Sequence, residues 1–139
     1  MTADQWNALL LAATAVHAGF QLTVTWLVYP ALGDLVTSSW GRSHVSHSRR
    51  IVPLVGIVYL TVVVAVAGSL LVEPDVPHLV AAAASAVVLV LTAGFAAPLH
   101  GRLGPGRDAR LFRRLRAVDV GRSVFALVAL TAAFVAAIG

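Results

Sequence analysis

The sequence predicts an all-α fold, a four-helix transmembrane bundle with antiparallel up-down topology and both termini on the extracytoplasmic side. Three observations carry this expectation. The 139-residue chain is 59% hydrophobic and 12% charged, against about 45–50% apolar and about 25% charged in an ordinary soluble domain. Its apolar residues gather into four runs, each near the roughly 20 residues that a helix needs to cross a hydrocarbon core. Its arginines crowd into alternate connections. The expected product is a single integral membrane domain over residues 1–139, multi-pass in the cell membrane, with the lipid bilayer as its first partner.

The first run extends from about Trp6 to Tyr29 and halts at Pro30, which lacks the N–H of a helical hydrogen bond and biases its predecessor away from α geometry. No basic residue precedes it, and it exceeds the apolar core of a signal peptide, so it reads as a retained span. The second run covers about Ile51 to Val72, and a Glu73-Pro74-Asp75-Val76-Pro77 turn follows. The third covers about His78 to Pro98, and the fourth about Val118 to Ile138. Short connections make sequential helices antiparallel neighbours.

Arg42, Arg49 and Arg50 lie in the first connection, and Arg102, Arg107, Arg110, Arg113, Arg114 and Arg116 in the third. The Glu73 turn and the termini carry none, so the positive-inside bias puts the arginine-rich connections in the cytoplasm. Gly104-Pro105-Gly106 breaks the third connection. Beyond it Leu111, Phe112 and Leu115 separate from Arg110, Arg113 and Arg114, as they would in a short interfacial helix, although topology alone also accounts for these arginines. Trp6, Trp26, Trp40 and Tyr29 sit near span ends and read as an aromatic belt.

Composition also excludes functions. With no cysteine, the chain has no disulfide scaffold, thiolate metal site, iron–sulfur cluster or thiol redox step. Its net charge of +4 comes from arginine alone, and those arginines lie between apolar spans, which fits membrane topology and no nucleic acid partner. No acidic residue falls in the central part of a span, as a proton-coupled exporter would require.

The polar residues inside the spans are not scattered. At 100° per residue, Asn7, Thr14, His17, Gln21, Thr25 and Tyr29 share an arc of about 120° on the first helix. His78, Ser85, Thr92 and, if the helix survives Pro98, His100 share a face of the third. If the register carries through Pro53, His44, His47, Tyr59 and Ser69 group on a long second helix capped near Ser38 or Ser39. Asp119, Arg122 and Ser123 share a face of the fourth, continued by Ala126, Ala133 and Ala137. Polar stripes facing hydrocarbon are costly, so these faces should look inward on a pocket for an apolar small molecule that ends at His17 near mid-membrane.

A neutral imidazole at that depth suits a general base, or else an interhelical hydrogen bond. Asp119 and Arg122, three apart, are expected to pair locally, or Arg122 reaches inward to hold an anionic substrate oxygen while His17 or His100 takes the proton. Gln21, Thr25, Tyr29, Tyr59, Thr92 and Asp119 would line the substrate's path. No cofactor is needed for this chemistry. The alternative is a divalent metal ion on His44, His47 and His100, joined by a carboxylate from Asp119 or Asp34, although the spacing matches neither HExxH nor the ExxH pairs of di-iron bundles.

Gly19, Tyr29-Pro30-Ala31-Leu32, Arg49-Arg50-Ile51-Val52-Pro53, Pro98-Leu99-His100-Gly101-Arg102-Leu103 and Arg122 together resemble the anthrone-oxygenase-like family of small four-span membrane proteins. The likeness covers most of the chain, and many members carry Asn near the position of His100. The resemblance implies oxidation of an anthrone to an anthraquinone, beginning with proton removal to an enolate that meets oxygen directly. His17 or His100 would then be the base and Arg122 the enolate holder. The competing expectation is a non-catalytic membrane module, a complex subunit or lipid-binding bundle, in which Thr14, His17, Gln21 and Thr92 satisfy one another in a closed interior. Small-residue runs such as Ala82 to Ala86 would also permit a homo-oligomer.

Overall fold

The computed structural model describes residues 1–104, 106 and 108–139, without the side chain of Thr37. The expectations resting on Pro105 and Arg107 therefore lie outside the described residues. Four helices, each long and apolar enough to cross a membrane, make up the fold: α1 (Ala3–Gly33), α2 (Thr37–Val72), α3 (Val76–Leu103) and α4 (Ala109–Ile138). α1 packs against α2 and α4, and α3 packs against the same two, so α1 faces α3 across the axis and α2 faces α4.

The helix starts follow local chemistry. Thr2 and Gln5 form a reciprocal capping box. The Asp75 carboxylate accepts the His78 backbone N–H at 3.1 Å, and Asp108 accepts those of Arg110 and Leu111 at 2.8 and 3.0 Å. The His78 and Leu111 amides hold the Asp75 and Asp108 carboxyls below the usual carboxylate range. At α2 the structure departs from expectation: Val36 is the N-cap, with no side-chain cap bond, and Ser39 donates its hydroxyl back to the Val36 carbonyl at 3.1 Å.

Two further corrections concern segments that hydropathy alone reads as peripheral. No separate interfacial helix precedes the last span, because α4 runs unbroken from Ala109. Leu111, Phe112 and Leu115 are buried in one apolar cluster with Tyr29, Trp40 and Leu103. Nor are all the end-of-span aromatics a belt. Trp26 is 73% exposed, as a belt residue should be, but Trp40 is 1% and Tyr29 2% exposed. The Trp40 indole N–H donates to the Leu103 carbonyl at 2.9 Å, joining α2 to the end of α3.

Both α1 and α3 contain one π-helical turn, at Val24–Val28 and Thr92–Ala96. In each, a backbone N–H reaches five residues back, Tyr29 to the Val24 carbonyl and Ala97 to that of Thr92, immediately before a proline. Pro30 and Pro98 supply no N–H, and the widened turn accommodates the loss. It also absorbs one residue of register. Polar positions run at steps of seven through Asn7, Thr14 and Gln21, then at a step of eight to Tyr29, and likewise through His78, Ser85 and Thr92 to His100. Eight residues of α-helix turn about 80° past the starting direction, and the extra residue in the π turn removes that drift. The stripes thus stay on the inner face to the end.

The stripes meet across the axis at both ends of the bundle. His78 Nε2 lies 2.7 Å from Asn7 Oδ1, and the Asn7 amide donates to the Ala136 carbonyl at 3.4 Å. At the other end Tyr29 meets His100. Between them small residues, among them Ala13, Ala65, Ala81, Ala132 and Ala133, bring the backbones close. Outward the chain is apolar, with Val16, Leu27, Ile57, Leu60 and Leu71 all exposed, a surface suited to lipid.

Gly68 marks the tightest approach. A Cβ built there would overlap the six-membered ring of Trp6, whereas one at Gly19 would meet nothing within 4 Å. Gly68→Ala is expected to destabilise by about 1–3 kcal/mol through overpacking. Gly19→Ala, which only removes helix-interior glycine, should stabilise by up to about 1 kcal/mol. Thermal unfolding of both variants in detergent checks the contrast, and equal Tm values would remove the Trp6 contact as the cause.

Candidate functional site

The side chains with chemistry to offer collect where the two π turns meet the third and fourth turns of α2 and α4. A cavity of about 300 Å³ opens there, walled by Phe20 and Val24 of α1, Ile51, Val52 and Val55 of α2, and Ala96 and Ala97 of α3. The void has a local origin: Ala96 and Ala97 are small, and the π turn beside them spreads the α3 backbone. Tyr29, His47, Ser48, Thr92, His100 and Arg122 supply its polar lining.

Arg122 is 4% exposed, and among the described residues Asp119 is the carboxylate that meets its charge. Its Nη1 lies 3.3 Å from Asp119 Oδ1, and its Nη2 donates to the Tyr59 hydroxyl at 3.0 Å. Thr92 donates its own hydroxyl to the Val88 carbonyl, so the Tyr59 O–H donates to Thr92 Oγ1, 2.7 Å away. Each donor in that chain is therefore committed. The Nε–H of Arg122 has no hydrogen-bond partner, nor has the Ser48 hydroxyl, and both residues line the cavity.

Asp119, fully buried, holds the other side of the arginine. Gln21 donates its amide to Asp119 Oδ1 at 2.7 Å, and Thr25 meets Oδ2 at 2.5 Å and Ser123 Oγ at 2.7 Å. Three of the residues expected to touch substrate, Gln21, Thr25 and Asp119, thus bond one another beside the cavity and do not line it. Tyr29, Thr92, His100 and Arg122 do line it, and Tyr59 lies behind Thr92 and Arg122.

His17 is placed differently from the expected end of a pocket. Its ring packs edge-to-face on Tyr59 at 5.0 Å between centroids, is 1% exposed, and has no partner for either nitrogen. It stands one ring removed from the cavity, whose lining does not include it. The closed polar interior expected of a passive bundle is not formed either: Thr14 bonds the Leu10 and Leu11 carbonyls, and Thr92 bonds Tyr59.

On the cavity's other flank the Tyr29 hydroxyl lies 3.0 Å from His100 Nε2, and His100 Nδ1 lies 3.2 Å from His44 Nε2. His44 is stacked on Trp40, with ring centroids 5.2 Å apart. This Tyr29–His100–His44 chain is a continuous hydrogen-bonded path for a proton, and Trp40 fixes its far member. His47 lines the cavity with its centroid 6.3 Å from that of His100. The three histidines offered as metal ligands are therefore neighbours, yet two of their nitrogens face each other, and Asp119 is held elsewhere by Gln21 and Thr25. Among the described residues no group of three or more His, Asp or Glu side chains is arranged to hold a metal ion.

Sequence reading missed Ser48, the alanine pair and the supporting role of Trp40. Its available signals were the steps of eight before Tyr29 and His100, and the four- and eight-residue spacing of Trp40, His44 and Ser48 on one helix. Comparison with protein-family models, with curated proteins and with solved structures finds no match for the chain. The chemistry of the site therefore rests on its own geometry.

Proposed function

We propose that the protein binds an apolar small molecule bearing one carbonyl, phenol or enolate oxygen in the cavity between α1, α2 and α3. We place the four helices across the cell membrane in alternating directions, with the arginine-rich connections in the cytoplasm. One observation carries the reading: an apolar cavity is lined by a buried arginine whose Nε–H has no hydrogen-bond partner and by Ser48, whose hydroxyl likewise has none. Such donors hold developing negative charge best where water is excluded.

The reaction that fits, and that the resemblance to anthrone-oxygenase-like proteins implies, is oxidation of an anthrone. The Tyr29–His100 pair accepts the proton of the acidic ring carbon, Arg122 and Ser48 hold the enolate oxygen, and molecular oxygen oxidises the enolate. One anthrone and one O₂ give one anthraquinone and one water, with no cofactor required by the balance. A second reading, a non-catalytic bundle, draws on the mutual bonding of Gln21, Thr25, Asp119 and Ser123, which joins α1 to α4.

Oxygen uptake by detergent-purified protein supplied with anthrone, with anthraquinone read by absorbance, tests the proposal. Arg122→Gln is expected to lower kcat/KM by about 100-fold, and Ser48→Ala by less, since each removes an oxyanion donor. Uptake no faster than the spontaneous reaction, in a protein that co-purifies with no small molecule, would leave the non-catalytic bundle.

A further inference from the structure

A second concavity, of about 700 Å³, runs along the outside of α1 and α2 and shares Phe20, Val24, His47 and Ile51 with the cavity. Its two ends differ in character. One end carries Arg42, Ser46 and Arg50, positions four apart and so stacked on one face of α2. Phe20 and Leu54 wall the other end, and Val28 flanks the groove between the two. Among the described residues the side-chain ion pairs are those of Asp75 with His78 and Asp119 with Arg122, so Arg42 and Arg50 are both exposed and without a carboxylate partner.

We propose that this groove is a binding site for an anionic phospholipid. Arg42 and Arg50 stand about 12 Å apart along the helix axis, a gap that two arginine side chains span when they converge on one phosphate near Ser46. Leu54 lies about 6 Å further along the axis, within the apolar run that starts at Ile51, so an acyl chain leaving that phosphate passes Val28 and enters the groove between Phe20 and Leu54. Charge at one end and hydrocarbon at the other match one amphiphile in one orientation. A zwitterionic lipid would bring a cation to the same arginines, and a free phosphate would leave the apolar end empty. The site stands independently of Arg122 and of any reaction in the cavity.

Native mass spectrometry of the detergent-purified chain, titrated separately with dioleoyl phosphatidylglycerol and dioleoyl phosphatidylcholine, tests the assignment. One phosphatidylglycerol adduct is expected, with affinity reduced about 30-fold in Arg42→Gln/Arg50→Gln, from the known strength of arginine attraction to anionic lipid. The Arg110→Gln/Arg113→Gln control removes the same charge from exposed positions outside the groove and should leave binding unchanged. Equal loss in both double variants would overturn the site in favour of net charge. Equal binding of phosphatidylcholine, or displacement of phosphatidylglycerol by millimolar inorganic phosphate, would overturn the lipid as its occupant.

Discussion

Asp119→Ala is expected to be among the most destabilising single substitutions in the chain, by about 3–5 kcal/mol. The carboxylate is fully buried and faces the Arg122 guanidinium, the Gln21 amide and the Thr25 hydroxyl. Removing it leaves a cation at 4% exposure with only the Tyr59 hydroxyl bonded to it, and leaves the buried Gln21 amide without its acceptor. The double variant Asp119→Ala/Arg122→Met removes the stranded charge together with its partner and should recover most of the loss, because a buried pair deleted whole costs far less than one deleted by half. Thermal unfolding followed by circular dichroism in one detergent reads both. Additive losses in the double variant would mean that the two side chains act separately.

Trp40→Ala should cost about 3–5 kcal/mol, the range for emptying a large buried aromatic position. The indole packs on Phe112 with ring centroids 5.7 Å apart, stacks on His44 and donates to the Leu103 carbonyl, so it ties α2 to the end of α3 and to the start of α4. Trp40→Phe keeps much of the packing and loses the hydrogen bond, for about 1 kcal/mol. The aromatic-belt reading makes the opposite forecast, a change within about 0.5 kcal/mol, as for surface positions. Unfolding of the two variants beside Trp26→Ala, at a lipid-facing position, separates them.

Hydropathy made the four apolar runs legible, and the three-residue spacing made the Asp119–Arg122 contact legible. The same reading stopped short at the helix ends nearest the cavity. Residues 37–50 and 109–117 are polar on average, so a hydropathy count ends before them, yet Trp40, His44, Leu111, Phe112 and Leu115 are buried against neighbouring helices. Average polarity measures contact with lipid, whereas burial there depends on which residues share an inner face. His17 shows the complementary failure. Its helical position indicated the interior correctly, but whether an inward ring meets a void or another ring is decided by Tyr59 on a different helix, and no periodicity along one helix carries that information.

The two π turns have a consequence for how this chain tolerates change in length. Every side chain beyond Val28 on α1 and beyond Ala96 on α3 is keyed in phase to a single surplus residue. Excising one residue within either turn would re-form regular helix and leave Tyr29 or His100 seven residues beyond Gln21 or Thr92, within about 20° of the inner face, whereas excision that left the π turn in place would rotate the remaining segment by about 100°. Strict seven-residue spacing without the π turns would thus present the same inner faces, and the eight-residue step is matched to the widened turn that carries it. The bundle behaves as two sections joined by a pair of couplings, each able to take up or give back one residue without turning the section that carries the candidate chemistry.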